Sequence, residues 1–278
     1  MIKNSCCICN TDGFETKYKN VNGHILSRCK KCSLVYLKFL PVKNDFIEDA
    51  SKDLHKGDKN KVEYWSFPSL YARYKNVFHF FFEDRLAKIL KYRTNIESIL
   101  DIGCGYGFWL EFCRERGFNV FGFDVSPETI TWARDNYKLP VVQSTLEDFS
   151  SKNNFDVIVM CDVLEHLENP NRDLQKVWKM LKQNGILYVQ VPNLLGIKIP
   201  FGHGYGLPHH VWQFNVKTVK ALLWKNGFEV LNYYTGTMGV IGVYENGGPS
   251  LMDKIRWEMA STFKIGNRLQ IVARKVSE

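Results

Sequence analysis

The 278-residue chain has no run of about 18 apolar residues, the length a helix needs to cross a bilayer. No membrane span is therefore expected. Its most apolar patch, residues 77–82, stops at Glu83-Asp84-Arg85. The opening Met1-Ile2-Lys3-Asn4-Ser5 lacks the apolar core of a secretory signal, so the expected location is cytoplasmic. Basic residues outnumber acidic ones, 37 to 29, for a formal charge of +8, yet no block of about five basic residues exists. Charge this dispersed is mostly solvated surface. It disfavours nucleic acid as a partner and suits, weakly, an anionic small molecule. Repeats and low-complexity segments are also absent. What remains is the composition of an ordinary globular protein, long enough for one well-buried α/β domain and a small appendage.

Cysteine is present and unevenly placed: five of the eight lie in residues 1–40. In a cytosolic chain a disulfide framework is disfavoured. Cys6-x-x-Cys9 and Cys29-x-x-Cys32 form two knuckles separated by nineteen residues. Each knuckle brings two sulfurs to one point, and two knuckles complete a tetrahedron for Zn2+. Four thiolates leave no open position, so the site is read as structural, with the metal supplying stability that forty residues cannot draw from their own core. It would also lower the net charge to about +6. Cys7 could replace Cys6, and His24 is a weaker alternative ligand. Arg28, Lys30 and Lys31 are a thin footprint for nucleic acid. The chain thus divides into a zinc-ribbon module (1–40), a polar linker leading to an aromatic helical cap (41–95, helical over 64–90), and an α/β domain (96–278).

From residue 96 onward, short apolar runs alternate with amphipathic stretches, as in βαβ units around a parallel sheet. Strands are expected at 98–102, 118–123, 139–142, 155–160, 185–191, 228–233 and 269–274. Helices are expected at 108–116, closed by Gly117, and at 218–225. The first strand runs into Leu100-Asp101-Ile102-Gly103-Cys104-Gly105-Tyr106-Gly107. The third glycine comes one residue too early for a dinucleotide turn, and no Gly-Lys-Ser/Thr follows to make a phosphate-binding loop. The spacing suits a ligand without a pyrophosphate, its amino-acid tail against the turn. Asp124, ending the second strand, can accept both ribose hydroxyls of an adenosine. Ser126 before Pro127 is the better helix cap, which leaves Asp124 available.

These blocks, with Ser144-Thr145-Leu146-Glu147-Asp148 and the segment from Phe155 to Leu167, resemble the class I S-adenosylmethionine-dependent methyltransferases. The resemblance implies a doubly wound, Rossmann-like, seven-stranded sheet whose last strand inserts antiparallel. It implies that Gly103, Gly105 and Gly107 face the methionine part, with Asp101 near its ammonium through water. Asp124, with Val125 beside it, would hold the ribose. Thr145 and Leu146 would flank the adenine, the Leu146 N–H on a ring nitrogen. Many relatives carry an acid where Thr145 stands, and Glu147 could take over that contact. The backbone of Cys161 would meet the cofactor. Cys104 and Cys113 read as buried small hydrophobes. The paired cysteines followed by such a domain resemble bacterial methyltransferases of sugar, surface-polysaccharide and secondary-metabolite pathways.

Methyl transfer to a hydroxyl needs alignment and benefits from a base near neutrality, for which histidine is the usual choice. Two places offer one. His166 follows the fourth strand, on the carboxyl edge where ligands bind in open α/β sheets. His210 lies in a glycine-rich segment after the fifth strand, where relatives carry a Pro-x-His-x-x-x-Phe pattern matching Pro208, His210 and Phe214. A metal held by His203, His209 and His210 is a weaker alternative. Tyr64 and Tyr71, in the aromatic stretch, are candidate lid contacts to cofactor or substrate. The expected activity is methylation of an oxygen or carbon on a small polar acceptor, such as a nucleotide-linked or phosphorylated sugar. One rival is an RNA methyltransferase with the ribbon as reader, disfavoured because Cys161-Asp162-Val163-Leu164 stands where base-methylating enzymes often carry Asn/Asp-Pro-Pro-Tyr/Phe. The other is a non-catalytic protein that kept the cofactor pocket. An oligomer stays open.

Overall fold

The computed structural model describes residues 2–10, 15–40, 68–196, 205–236 and 251–276. Tyr64, His203 and the polar linker lie outside the described residues.

The cysteine-rich segment is made of short strands. Strands β1 (Ile2–Lys3) and β5 (Phe39–Leu40) pair antiparallel. Between them β2 (Glu15–Val21) and β3 (His24–Cys29) form a hairpin, and β4 (Val35–Leu37) adds to β3. The hairpin turns on Asn22-Gly23, both at positive φ, as a two-residue turn between right-twisted strands requires.

Two helices follow, α1 (Pro68–Arg73) and α2 (Lys75–Leu90). The single helical stretch expected there is broken at Tyr74, whose φ of −119° and ψ of 29° leave the helical region. The α/β part then runs β6 (Ser98–Ile102), α3 (Phe108–Arg114), β7 (Asn119–Asp124), α4 (Pro127–Tyr137), β8 (Val141–Gln143) and β9 (Phe155–Cys161). It continues through α5 (Pro170–Met180), β10 (Leu181–Pro192), β11 (Trp212–Gln213), α6 (Val216–Lys225), β12 (Phe228–Gly236), α7 (Leu251–Thr262) and β13 (Arg268–Lys275).

Seven of these strands form one sheet in the order β12-β13-β10-β9-β6-β7-β8. β6 to β10 run parallel, and β13 inserts antiparallel between β10 and β12, as expected. The central strand β9 explains its own sequence. Val157, Ile158, Val159 and Met160 are all fully buried, because helices cover both faces and no alternation is needed. Helix starts are set by polar caps before proline. The Ser126 hydroxyl accepts from the Thr129 N–H ahead of Pro127, and the Asn169 amide accepts from Arg172 ahead of Pro170. β8 starts two residues later than the expected strand, because Lys138 closes α4 in a left-handed conformation and Pro140 has no N–H to donate. β10 starts earlier than expected, at Leu181, with its register against β9 shifting between Leu181 and Ile186.

The apolar interior falls into two clusters. One joins α1 to α4 and their face of the sheet through Phe78, Phe82, Phe108, Trp109 and Phe112. The other joins the opposite face to the cysteine-rich strands, with Leu26, Leu34, Tyr36 and Leu37 packed in one cluster with Val211, Trp212 and Phe214. Among the described residues no helix is long and apolar enough to cross a membrane.

Asp156 pins the far end of the sheet. Its buried carboxylate accepts from the N–H groups of Glu97 and Ser98 at 3.0 and 3.1 Å, from the Ser98 hydroxyl at 3.1 Å, from Lys182 at 2.9 Å and from Arg93. Burial alone would raise its pKa. Lys182, the two N–H groups and Arg93 together hold it well below the usual carboxylate range. Asp156→Ala should therefore cost about 2 kcal/mol at neutral pH, because it leaves the Glu97 and Ser98 N–H donors without their acceptor and removes the charge partner of the partly exposed Lys182 and Arg93. A depressed native pKa gives stability that is present above the unfolded value of about 3.9 and lost as pH falls below it. Urea unfolding should show the gap between wild type and variant wide at pH 7 and shrinking as the pH falls below about 4.

Candidate active site

The turn after β6 is pinned to its neighbour. The N–H groups of Gly103 and Cys104 both donate to the Phe123 carbonyl, at 2.9 and 3.1 Å. All three glycines of the turn have positive φ, and Gly107 is the first residue before α3. Gly105 matters most, because a Cβ built on it meets no heavy atom within 4 Å. The turn is bare and open there, and its φ of +52° strains a side-chain-bearing residue.

Asp124 faces this bend. Its Oδ2 accepts the Gly105 N–H at 2.8 Å, and its Oδ1 accepts the Ser126 N–H at 2.9 Å. Ser126 serves as the cap of α4, so Asp124 spends none of its capacity on the helix. Val125 is exposed beside Asp124, 39% accessible.

Asp101 lies below the turn and is buried. Burial pushes its pKa up to about 7, against the pull of Arg85 and with a further push from Asp124. Arg85 is a residue that the sequence reading missed. It sits on α2, fully enclosed, with its guanidinium 4.7 Å from the Trp109 ring and 5.7 Å from that of Tyr188. A signal existed: Phe78, Phe82, Arg85 and Ile89 share one buried helical stripe at spacings of four, three and four.

Tyr71, read as a lid contact, belongs to the packing behind the turn. Its ring stacks on Phe108 at 4.0 Å, its hydroxyl pairs with His79 at 3.0 Å, and it is 5% exposed. Thr145 caps its own turn: its hydroxyl donates to Asp148 at 2.6 Å and accepts the Asp148 N–H at 3.1 Å. Leu146 is buried. Glu147 is turned to Arg172, 2.8 Å away. Cys161 ends β9, and Cys104 and Cys113 are buried.

Past β9 a 3-10 turn over Leu164–His166 carries the first histidine. His166 Nδ1 lies 3.0 Å from the His209 carbonyl, which can only accept. The proton is therefore on Nδ1, and Nε2 carries a free lone pair. Burial pushes the His166 pKa down to about 4, so the ring is neutral at pH 7. The His210 ring stands edge-to-face on it, 4.7 Å between centroids at 84°. His210 packs directly on Gly206, where an added Cβ would lie 2.3 Å from its Nδ1. Only glycine fits beneath that ring.

Ligand atoms of Glu165, His166 and His210 lie within 4.8 Å of one another, whereas His209 is not in this group. Glu165 is fully buried, and neither carboxylate oxygen has a hydrogen-bond partner. Burial first and the Asp162 charge second push its pKa well above the carboxylate range. The sequence named both histidines, and the structure brings them together from segments 44 residues apart with an acid between them.

The four thiols of Cys6, Cys9, Cys29 and Cys32 likewise converge within 4.8 Å. The two knuckles close alike. The N–H of Asn10 donates to the Cys6 carbonyl and that of Ser33 to the Cys29 carbonyl, both at 2.9 Å, with Asn10 and Ser33 left-handed. The Cys6 thiol is pulled down to about 5, chiefly by the Cys32 thiol and further by the N–H groups of Cys9 and Ile8. Cys7 and His24, the alternative ligands, are not in the cluster. Cys7 is buried, and its carbonyl accepts from Asn171 at 2.7 Å and Lys225 at 2.8 Å.

Comparison with known proteins agrees with this geometry. A family model described as "Methyltransferase domain" matches residues 71–233, more than half of the chain. Among curated proteins, a ubiquinone biosynthesis O-methyltransferase of Rickettsia typhi is 27% identical over 149 residues, covering 51% of this chain and 61% of that protein. One of Aliivibrio fischeri is 33% identical over 104 residues, covering 35% and 44%. The matches thus span less than two thirds of the length of these relatives. Among solved structures, the plantazolicin methyltransferase BpumL in complex with SAH aligns with a TM-score of 0.55 at 19% identity, covering 83% of this chain and 99% of that one. A SAM-dependent methyltransferase from Archaeoglobus fulgidus aligns with a TM-score of 0.50 at 23% identity, covering 69% and 92%. At these identities the two structures speak for the fold. With the matching family model, the sheet order and the bare turn facing a carboxylate, the chain belongs to the methyltransferase domain family.

Proposed function

We propose that the chain transfers a methyl group from S-adenosylmethionine to a hydroxyl oxygen of a small polar acceptor. The observation that carries this reading is the pair of histidines beside a buried acid on the carboxyl edge of the sheet, across from the glycine turn. The relatives' names support oxygen as the atom methylated. The charge of +8 supports an anionic acceptor, such as a nucleotide-linked or phosphorylated sugar.

The cofactor supplies a methyl on a sulfonium, already activated for in-line displacement. The residues present suit it: the open face of Gly105 would admit an amino-acid tail, Asp101 would answer the ammonium, and the Asp124 carboxylate at the tip of β7, beside the turn, would hold the ribose. On the acceptor side, a neutral imidazole of His166 or His210 takes the hydroxyl proton as the oxygen attacks the methyl carbon. The buried Glu165 carboxyl, protonated at the outset, packs in the same group as the two imidazoles. The four cysteines hold one structural Zn2+, which four converging thiols fit by number and donor type.

Three outcomes test these assignments. Asp124→Ala should weaken S-adenosylmethionine binding at least about tenfold, the loss of roughly 1.4 kcal/mol of hydrogen bonding, and calorimetry reads it directly. Unchanged affinity removes the ribose role. His210→Ala, assayed with nucleotide-linked sugars, sugar phosphates and intermediates of ubiquinone biosynthesis, should lower kcat by about 100-fold while cofactor affinity holds, the scale of general-base catalysis. Normal turnover removes His210 from the reaction. Elemental analysis should find about one zinc per chain, and a folded chain free of metal would refute the structural site.

A further inference from the structure

The cysteine-rich strands do not stop at their own segment. Strand β11 completes their sheet, in the order β11-β4-β3-β2. Trp212 pairs with Tyr36 and Gln213 with Val35, and the Leu37 N–H donates to the Val211 carbonyl at 2.8 Å. Two residues before Trp212 stands His210. The Trp212 indole reaches the other way, its Nε1–H donating to the Leu167 carbonyl at 2.7 Å, directly after His166. The indole is 2% exposed and lies 5.9 Å from the fully buried Tyr36 ring. The Gln213 amide closes the loop by donating to the carbonyls of Tyr205 and His210, at 2.8 and 2.9 Å. One indole is therefore tied to the cysteine module, to the segment carrying His210 and to the turn carrying His166. The aromatic packing behind the glycine turn belongs to the other apolar cluster and shares none of these contacts.

We propose that Trp212, held by Tyr36, is a positioning residue that sets the approach of His166 to His210, so that the four-cysteine module serves as the acceptor-side scaffold of the active site. This rests on the reading of the two imidazoles as the acceptor-side groups. The leverage is mechanical. Each histidine sits on an irregular segment with little regular structure of its own, and the module contributes a three-stranded sheet against which both are braced. A displacement of about 1 Å is enough to cost catalytic alignment on the order of 100-fold.

The test uses the full chain with histidine and glycine isotope-labelled, and needs no acceptor. In the wild type, nuclear Overhauser contacts should connect the His166 and His210 rings. In Trp212→Phe, which keeps an aromatic ring but removes the N–H donor, that contact should weaken about threefold, the inverse-sixth-power consequence of a shift of about 1 Å. The signals of Gly103, Gly105 and Gly107 should stay in place, and calorimetric affinity for S-adenosylmethionine should hold within about twofold. Stripping metal from the wild type with a thiol-competing chelator should weaken the same ring contact and spare the same glycines, a readout that remains if Trp212→Phe fails to fold. Trp224→Phe, at a 73% exposed indole, is the control and should change nothing. A ring contact unchanged in Trp212→Phe or after chelation overturns the proposal, as does an equal disturbance of the glycine signals. Failure of the base assignment reads differently: His210→Ala would then leave turnover normal while the ring contact still answers to Trp212.

Discussion

One carboxylate joins the tips of two neighbouring strands. Asp124, at the end of β7, takes the N–H of Gly105 beyond the end of β6 and the N–H of Ser126 that leads into α4. The reverse link runs from Gly103 and Cys104 to the Phe123 carbonyl. Together they fix a turn whose backbone would otherwise be among the freest in the chain, since it is built of glycines at positive φ. Conformational freedom that permits the bend also makes it costly to order. The carboxylate offsets that cost and holds the open face of Gly105 in place.

The other half of the molecule solves the same problem with different materials. His166 and His210 stand on segments with almost no regular structure, and loops cannot hold side chains to catalytic tolerance without bracing. The bracing comes from a distant part of the chain. Residues 35–37 and 212–213 pair as strands, and the indole of Trp212 spans the gap to Leu167. The aromatic packing behind the glycine turn lies in one apolar cluster, whereas Ile102, Phe123 and Leu146 share the other with Trp212 and Phe214.

Much of this was legible in the sequence because the relevant signals are local. The glycine turn, Asp124 and the cap-proline pair Ser126-Pro127 lie within 25 residues, and backbone rules alone place them. The cysteine knuckles carry their spacing with them, and each of the seven strands of the main sheet overlaps its apolar run, with β8 starting later and β10 earlier than expected. What escaped was decided by partners remote in sequence. Tyr71 was visible as one of many aromatics, but only tertiary packing determines that it stacks on Phe108. Arg85 looked like the polar end of an apolar patch until its stripe position became the deciding fact. A two-residue strand such as β11 has no periodicity to read, so its pairing with Tyr36 could not be anticipated.

The titratable groups around the site complete the physical picture. Arg85 is sealed beneath the turn close enough to oppose the upward push of burial on Asp101, which leaves that acid divided between its two forms near neutral pH. A buried acid so poised accepts a cation more readily than one already neutralised by a salt bridge, because ionising it completes a charge pair instead of breaking one. Glu165 presents the same logic beside the histidines. Burial and the Asp162 charge hold it protonated against the pull of Arg268. In both places burial raises an acid above the ordinary carboxylate range while a guanidinium, Arg85 for Asp101 and Arg268 for Glu165, opposes it.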